Sequence, residues 1–237
     1  MYKNKTFLAV IPARGGSKRL PMKNLLNLLG KPLIVWSIES AINSKYLDKV
    51  VVSTDDLKIA DISKKAGAIV PFIRPSELAT DTASTIDVIL HLLNFIELNK
   101  ENYDYIVLLQ PTSPLRNSSD IDNAIMFCIE KDADSIISVC ETVHSPLWAN
   151  TLPSDLSMRD FLKPDIVNKR SQDLPIYYRL NGAIYIVKTE LIKKEKTFFT
   201  QSNSYAFIMP KERSIDIDTE LDFLIAETII NYRKRNE

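Results

Sequence analysis

The chain has 237 residues, and its 30 lysines and arginines balance 30 aspartates and glutamates, so its formal net charge is zero. This length fits one domain with or without a small appendage, and a hydrophobic content of 45% is ordinary for a soluble globular protein. Zero net charge argues against a protein whose main task is to bind nucleic acid or an anionic membrane surface, and two cysteines are too few for a disulfide framework.

The N-terminal residues have a short apolar run, but they lack the long apolar core and the cleavage site of a signal peptide. No stretch of the sequence approaches the ~18 apolar residues that are needed to cross a bilayer. We therefore expect a cytoplasmic protein with reduced cysteines.

Apolar runs alternate with helical stripes along the first part of the chain. A short continuous apolar run predicts a buried strand, and apolar residues at helical spacing predict a helix that packs on that strand. Strands or extended segments are predicted at 6–13, 49–54 and 68–74, and helices at 30–44 and 55–67.

The same alternation continues to residue 141. A helix is predicted at 84–99, with Ser84 or Thr85 as its N-cap. A central strand at 103–110, a helix at 118–131 and a strand at 135–141 follow. The sequence therefore predicts an α/β fold, in which a mostly parallel twisted sheet carries helices on both faces.

The pattern breaks at residues 142–180, which contain four prolines and show no clear period. We expect an inserted arm there, between the two parts of an α/β domain at 1–141 and 181–237. Regular structure is predicted to return at 181–188, 205–210 and 214–218, and a helix at 219–235 ends the chain.

The segment "IPARGGSKRLPMKN", residues 11–24, places positive charge on a glycine-containing loop directly after the first strand. Its cations are Arg14, Lys18, Arg19 and Lys23, and Lys31 follows a little later. Ligands of open α/β sheets bind at the carboxyl ends of strands, and glycine lets backbone N–H groups approach an anion. The loop therefore predicts a triphosphate site, although it has neither Walker nor G-x-G-x-x-G spacing. A solvent-exposed basic loop is the alternative.

A second polar loop, "LLQPTSPLR", follows the central strand and brings Gln110, Thr112, Ser113 and Arg116 to the same edge. Two prolines stiffen this turn. A polar cluster on a rigid loop is suited to positioning a substrate. An ordinary connection between a strand and a helix is the alternative.

Asp216 and Asp218 lie two residues apart in a predicted strand, so both side chains are expected on one face. Two adjacent carboxylates repel each other unless a cation lies between them, and carboxylate oxygens suit Mg²⁺ that is shared with substrate phosphates. The pair therefore predicts a metal site. Alternatively, Asp218 or Thr219 only caps the following helix.

Taken together, six segments resemble one family, the CMP-N-acylneuraminate synthetases, over about residues 7 to 230. In chain order the segments are "IPARGGSKRLPMKN", "STDD", "RPSELATD", "LLQPTSPLR", "LNGAIY" and "SIDIDTELDF". The first and the last of them in combination carry most of the specificity. The related enzyme for 3-deoxy-manno-octulosonate has a similar first loop but lacks the "NGAIY" pattern.

The resemblance implies a Rossmann-like nucleotidyltransferase fold and a reaction in which CTP and an N-acylneuraminate give CMP-N-acylneuraminate and pyrophosphate. It also implies Mg²⁺ or Mn²⁺ as the cofactor, and a homodimer in which the arm reaches into the partner. Legionaminate, pseudaminate or 3-deoxy-manno-octulosonate are alternative acids for the same chemistry. A sugar-nucleotide-binding module without catalysis is the alternative from another class.

The resemblance also implies a role for individual residues. Catalysis is expected of Arg14, Lys23, Asp216 and Asp218, and the two aspartates are the expected metal ligands. The expected nucleotide-binding residues are Ala13, Arg14, Gly15, Ser17, Lys23, Asn24, Arg74, Ser84, Gln110, Thr112 and Ser113. The expected contacts to the sugar acid are Gln110, Arg116, Arg170, Asn181, Tyr185, Phe198 and Phe199.

Overall fold

A six-stranded sheet forms the centre of the computed structural model, which describes residues 1–201 and 203–235. A separate two-stranded sheet lies in the connection that follows the first strand. In chain order the strands are β1 (Phe7–Pro12), β2 (Asn27–Leu28), β3 (Lys31–Pro32), β4 (Lys49–Ser53), β5 (Tyr105–Leu109), β6 (Ser135–Glu141), β7 (Tyr178–Lys188) and β8 (Ser204–Ile208).

The strand order in the large sheet is β4-β1-β5-β7-β6-β8. β1 runs parallel to β4 and β5, and β6 runs parallel to β8. β7 is antiparallel to both of its neighbours, β5 and β6. The prediction of a mostly parallel sheet is therefore confirmed, with β7 as the antiparallel strand. The segment predicted at 68–74 contributes only isolated parallel bridges beside β4.

Helices cover both faces of the sheet, as predicted. α1, α2 and α4 pack on one face, and α3 and α5 pack on the other, where their buried apolar side chains stabilise the fold. α6 packs on a third cluster with Leu28, Leu33 and Leu115. The bounds are α1 (Leu33–Ile42), α2 (Leu57–Lys65), α3 (Thr85–Leu98), α4 (Ser118–Glu130), α5 (Thr189–Glu195) and α6 (Glu220–Lys234).

Side-chain caps fix where four of these helices begin, and Asp56 is the cap of α2. The Ser84 hydroxyl accepts a hydrogen bond from the Asp87 amide at the start of α3, which confirms the predicted cap. Asn117 begins α4 through a capping box. Thr219 begins α6 in the same way, so Thr219 and not Asp218 is the cap, which leaves the Asp218 carboxylate for other contacts.

The segment from residue 142 to residue 177 forms neither a strand nor an α-helix in the described structure. It contains only short 3-10 turns at Pro146–Trp148 and Ser171–Asp173. β7 begins at Tyr178, three residues before the predicted return of regular structure. Of the helices that the structure describes, none has both the length and the apolar run required to span a bilayer.

The strand predicted at 214–218 is wrong, because this segment pairs with no strand among the described residues. Its backbone makes hydrogen bonds to two loops instead of to a strand. The Ile217 amide donates to the Thr112 carbonyl at 2.8 Å, and the Ile217 carbonyl accepts from Lys23 Nζ at 2.6 Å. Ile217 is buried against α6, so the segment is tied to the glycine-rich loop and to the loop after β5.

Candidate active site

A cavity of about 550 Å³ lies at the carboxyl ends of β1 and β5, where ligands of open α/β sheets bind. The glycine-rich loop, the segment before α3, the loop after β5 and the segment before α6 all contribute to its wall. The lining residues are Pro12, Arg14, Ser17, Lys18, Arg19, Lys23, Asn24, Arg74, Leu78, Thr80, Asp81, Ala83, Thr85, Val88, Gln110, Pro111, Thr112 and Asp218.

The cavity joins parts of the chain that are far apart in sequence. Lys23 Nζ lies 3.0 Å from an Asp218 carboxylate oxygen, although the two residues are 195 positions apart. Only 11% of the Lys23 side chain is exposed. The predicted cationic loop and the predicted aspartate segment therefore share one cleft. The predicted site residues that line it are Arg14, Ser17, Lys23, Asn24, Arg74, Gln110, Thr112 and Asp218.

Hydrogen bonds from neighbouring segments hold the glycine-rich loop in place. The Asn24 amide donates to the Arg14 carbonyl at 3.0 Å, and the Gly15 N–H donates to the Asp55 carboxylate at 3.1 Å. A Cβ at Gly15 would lie 3.0 Å from the Asp56 side chain, so this position requires glycine for close approach. Ala13 is buried, so Ala13 and Gly15 shape the loop from behind the cavity wall.

Four cations of this loop are paired with only two carboxylates. Arg14 and Lys18 contact Asp81 at 2.8 Å and 2.5 Å. Arg19 and Lys23 contact Asp218 at 2.9 Å and 3.0 Å. The hydrogen bond from Lys18 lowers the pKa of Asp81, and Arg14 adds to this effect. Phosphate oxygens make the same charge-assisted contacts as carboxylate oxygens, so the loop can exchange these partners for a polyphosphate.

Asn24 and Arg74 each leave one polar atom without a partner beside the cavity. Asn24 is 6% exposed and Arg74 is 5% exposed. The carbonyl oxygen Oδ1 of Asn24 and Nε of Arg74 have no hydrogen-bond partner among the described residues. Arg74 Nη2 lies 3.4 Å from Asp55, and burial lowers the pKa of the Arg74 guanidinium. The pair offers one acceptor and one donor to a ligand.

Asp216 is a half-buried carboxylate next to the cavity. Burial raises its pKa, and the nearby Asp218 carboxylate adds to this rise. Its oxygen Oδ1 is buried and has no hydrogen-bond partner in the described part of the chain. An orphaned carboxylate oxygen beside a second carboxylate fits a divalent cation. The described residues contain no group of three or more His, Cys, Asp or Glu that could hold a metal, so substrate oxygens would have to complete the coordination.

Gly182 lies where three site elements meet. Its φ of +72° is in the left-handed region that favours glycine. A Cβ there would lie 3.1 Å from Gln110 Oε1 and 3.7 Å from Asp216 Oδ2. The absence of a side chain at Gly182 therefore lets Gln110 and Asp216 approach each other across β7.

Arg116, which was predicted to contact substrate, lies inside the protein, and its contact with substrate stays a prediction. The side chain is 2% exposed, and its Nη1 donates to the carbonyls of Gln110 at 3.2 Å and Ala183 at 2.8 Å. Burial lowers the pKa of the guanidinium to about 10. Arg116 lies beneath the loop after β5 and does not line the cavity.

Asn181, which was predicted to contact the sugar, also lies inside the protein, and its contact with the sugar stays a prediction. Asn181 is 1% exposed. Its amide nitrogen donates to Ser214 Oγ at 2.9 Å, and its oxygen accepts from Ser138 Oγ at 2.5 Å and from the Ala183 amide at 3.1 Å. Both ends of the side chain are used inside the protein, so Asn181 fixes the turn around Gly182.

Phe198 was expected in a sugar pocket, but it belongs to the core. It is 8% exposed, and its ring packs 5.3 Å from the Tyr185 ring on the face covered by α3 and α5. Tyr185 is half-buried, and burial raises its pKa. Phe199 is exposed. Neither Tyr185 nor Phe199 lines the cavity, so their contact with a sugar stays a prediction.

Three further predicted residues lie outside the cavity wall. Ser113 is buried and its hydroxyl has no hydrogen-bond partner among the described residues, so its contact with the nucleotide stays a prediction. Ser84 caps α3, and its neighbours on either side line the cavity. Arg170 pairs with Asp173 at 3.0 Å within the segment 142–177 and is well exposed, so its contact with a sugar carboxylate stays a prediction.

Asp55, Thr80 and Asp81 also take part in the site, although they were not among the predicted site residues. Asp55 contacts both the Gly15 amide and Arg74, and the Thr80 carbonyl accepts from Arg14 Nη1 at 3.1 Å. A signal was present, because "RPSELATD" is a polar stretch that leads into a helix N-terminus, a position that often binds anions.

Comparison with known proteins agrees with this geometry. Residues 8–235 match the family model described as cytidylyltransferase. The chain is 39% identical over 230 residues to a CMP-N,N'-diacetyllegionaminic acid synthase of Legionella pneumophila, a match that covers 94% of this chain and 95% of that protein. It is 35% identical over 222 residues to a pseudaminic acid cytidylyltransferase of Campylobacter jejuni, covering 94% and 95% of the two chains.

A third relative is an N-acylneuraminate cytidylyltransferase of Streptococcus agalactiae, 41% identical over 219 residues. That match covers 92% of this chain but 51% of the relative, so the chain spans about half the length of that protein.

Solved structures show the same fold at lower identity. A CMP:2-keto-3-deoxy-manno-octonic acid synthetase complexed with CTP superimposes with a TM-score of 0.71 and 18% identity, covering 96% of this chain and 99% of that chain. A 4-diphosphocytidyl-2C-methyl-D-erythritol synthase from Anaerococcus prevotii superimposes with a TM-score of 0.59 and 14% identity, with the same coverage.

Proposed function

Because the chain belongs to the cytidylyltransferase family, we propose that it transfers the cytidylyl group of CTP to N-acylneuraminate, giving CMP-N-acylneuraminate and pyrophosphate. The observation that carries this proposal is the single cavity in which the cationic loop meets Asp218, with Asp216 beside it. Relatives of this chain are named for the same transfer to related nine-carbon acids.

The electrostatics of the cavity suit two anionic reactants. CTP is a polyanion and the sugar acid carries a carboxylate, so the two repel each other in the absence of cations. Arg14, Lys18, Arg19 and Lys23 all line the cavity. These cations would neutralise the triphosphate and hold it in place, which lowers the barrier by fixing the geometry of attack.

In the reaction, a hydroxyl oxygen of the sugar forms a bond to the α-phosphorus as the bond to pyrophosphate breaks. The proton of that hydroxyl must go to a base. Asp216 is the candidate in this chain, because its carboxylate lies beside the cavity and its Oδ1 has no partner among the described residues. The proposal needs no covalent intermediate on the protein.

Asp216 and Asp218 would hold Mg²⁺ or Mn²⁺ together with substrate oxygens. Bound there, the cation would stabilise negative charge that develops on the phosphate. Asp218 is paired with Arg19 and Lys23, so these two cations have to turn to the phosphates before the carboxylate is released.

Recognition of the base is proposed for Asn24 and Arg74. Cytosine carries an amino group that donates a hydrogen bond, whereas uracil has a carbonyl at that position. The unpartnered Asn24 Oδ1 can accept from the amino group, and Arg74 Nε can donate to an acceptor of the ring. This arrangement would favour CTP over UTP.

N,N'-diacetyllegionaminate is the second candidate acid. The match to the Legionella synthase covers 95% of that protein, whereas the match to the streptococcal enzyme covers half of it. The two acids differ in groups that are read by the shape of the sugar pocket, so a panel of acids is needed.

We also propose that the segment 142–177 packs on a second copy of the chain and brings Arg170 to the partner's sugar site. Support comes from its exposed apolar side chains, which include Leu152, Leu156 and Met158. Sedimentation equilibrium tests this, since a monomer at all concentrations would contradict it. Cys128 and Cys140 are free and buried, which fits the proposed cytoplasmic location.

The test of the function is pyrophosphate release from CTP and Mg²⁺ with each acid of a panel of N-acylneuraminate, diacetyllegionaminate, pseudaminate and 3-deoxy-manno-octulosonate. We expect release with a nine-carbon acid and little release with UTP. Asp218→Asn should be inactive, whereas Asp61→Asn, which removes an exposed carboxylate paired with Lys65, should be unchanged. CTP binding without pyrophosphate release would indicate a binding module, and no CTP binding would refute the proposal.

A further inference from the structure

Arg116 is the largest of the fully buried side chains in the described part of the protein. It lies in the loop that follows β5, beneath the floor of the cavity. Its guanidinium contacts the backbone carbonyls of Gln110, directly after β5, and of Ala183, within β7. The position of these carbonyls indicates what the residue does.

The guanidinium makes hydrogen bonds directly beyond the point where the pairing of β5 with β7 stops. β5 and β7 pair down to Leu109 and Ile184, so Gln110 and Ala183 are the residues that would pair next. Arg116 Nη1 donates to both of their carbonyls, at 3.2 Å and 2.8 Å. One nitrogen therefore bridges the two chain segments beyond the last pair of the ladder.

Stability alone does not explain an arginine at this position. Asp120 acts on the pKa of Arg116 from beyond ion-pair distance and is itself paired with Arg213. The Nε and Nη2 atoms of Arg116 have no hydrogen-bond partner in residues 1–201 and 203–235. A buried charge without a close counterion lowers stability, and apolar replacements of buried charges are often neutral or stabilising. The bridging contacts therefore point to a role in the site above.

One bridged residue, Gln110, belongs to the site, and the other, Ala183, follows Gly182, next to which the Gln110 and Asp216 side chains lie. Gln110 lines the cavity, and its Oε1 lies 3.1 Å from the place of a Cβ on Gly182, the residue before Ala183. The same point is 3.7 Å from Asp216 Oδ2. A shift of Gln110 relative to Ala183 would thus change the gap between the Gln110 amide and the Asp216 carboxylate.

We propose that Arg116 is a positioning residue that acts through Gln110. Its guanidinium sets the Gln110 amide relative to Asp216 without touching either reactant. This inference rests on the proposed cytidylyl transfer, since the amide and the carboxylate matter there.

The test is a double-mutant cycle with Arg116→Met, Gln110→Ala and the double variant, in which kcat and KM for both substrates and the melting temperature are measured. Misplacement by about 1 Å can reduce turnover on the order of 100-fold, so Arg116→Met should lower kcat/KM by about 10- to 100-fold. The double variant should be no more than about 2-fold worse than Gln110→Ala, because coupled residues are not additive.

A purely structural role would give a different pattern. Asp122→Asn is the matched control, because buried Asp122 accepts from Ser44 Oγ and the Lys45 amide away from the cavity. It should lower the melting temperature and leave kcat/KM unchanged. The proposal is overturned if Arg116→Met lowers the melting temperature but leaves kcat/KM unchanged. It is also overturned if the fold loss in kcat/KM of the double variant equals the product of the losses in the two single variants.

Arg116→Lys covers the case in which Arg116→Met does not fold, because it retains the charge and a donor. Full activity of Arg116→Lys would then overturn the requirement for the guanidinium. A loss of kcat/KM in Arg116→Lys that is not additive with the loss in Gln110→Ala would support the requirement. If the wild-type protein releases no pyrophosphate with any acid, the proposed function fails. The same cycle is then measured as the Kd of CTP, and additive effects on Kd overturn the positioning role.

Discussion

Replacing Lys23 by Met tests whether one ammonium group joins the glycine-rich loop to the aspartate segment. Lys23 Nζ donates to the Ile217 carbonyl at 2.6 Å and to Asp218 at 3.0 Å. Methionine retains the length of the side chain but removes the charge and every donor. The change should therefore affect both the packing of the segment 214–218 and the binding of CTP.

The size of both effects follows from these contacts. The Ile217 carbonyl would lose its Lys23 donor, which is expected to lower the free energy of unfolding by about 1–3 kcal/mol. A hydrogen bond from a charged group to phosphate contributes about 1.5–3 kcal/mol, which corresponds to about a 10- to 150-fold rise in the Kd of CTP. Because CTP must first displace Asp218 from Lys23, the lower part of this range is expected.

The assay is calorimetric titration of CTP without a sugar acid, together with thermal unfolding. Lys49→Met is the matched control, because Lys49 is a partly buried lysine paired with Glu101 outside the cavity. It should leave the Kd of CTP unchanged. If folded Lys23→Met binds CTP within about 2-fold of the wild type, far below the loss expected of a charged hydrogen bond, the ammonium does not hold the triphosphate and the reasoning is refuted.

Three further substitutions have expected outcomes. Asp216→Asn should abolish pyrophosphate release but raise the melting temperature at neutral pH. Burial raises the pKa of Asp216 in the folded protein, so its ionisation destabilises the fold as pH rises above the ordinary aspartate pKa. The gain in melting temperature should therefore vanish in acid, and a gain that persists in acid would contradict this cause. Asp81→Asn should lower the Kd of CTP, because Arg14 and Lys18 lose the carboxylate that competes with phosphate, and the gain should fade in high salt; calorimetry that shows weaker binding would contradict it. Gly182→Ala should reduce kcat/KM through contact with Gln110, whereas Gly30→Ala, with a φ of +95° but open space, should affect only stability; equal kinetic losses would point to backbone strain alone.

Much of the fold follows from the hydrophobic pattern, because β1 and β5 are buried almost throughout and helices such as α3 bury one apolar face. The runs at 6–13 and 103–110 became β1 and β5, and the helical stripe at 84–99 became α3. The exception is 214–218, where alternating isoleucines and aspartates imitate a strand. Its backbone bonds go to Thr112 and Lys23 instead, and no local pattern reveals such distant partners.

The site was predictable where side chains leave the sheet edge toward solvent. Arg14, Lys23 and Asp218 converge because the loops that carry them lie at one edge of the fold. The family resemblance assigned Arg116 and Asn181 to the sugar acid, but both side chains are buried. Sequence does not distinguish a polar side chain that faces a ligand from one that turns inward to bond backbone carbonyls or other buried side chains.

The most direct test of the shared cleft is a crystal structure with CTP and Mn²⁺, in which anomalous scattering locates the metal. We expect triphosphate oxygens within hydrogen-bond distance of Arg14 and Lys23, and the manganese peak in contact with Asp216 and Asp218. Triphosphate bound outside this cavity, or a metal that contacts neither aspartate, would contradict it.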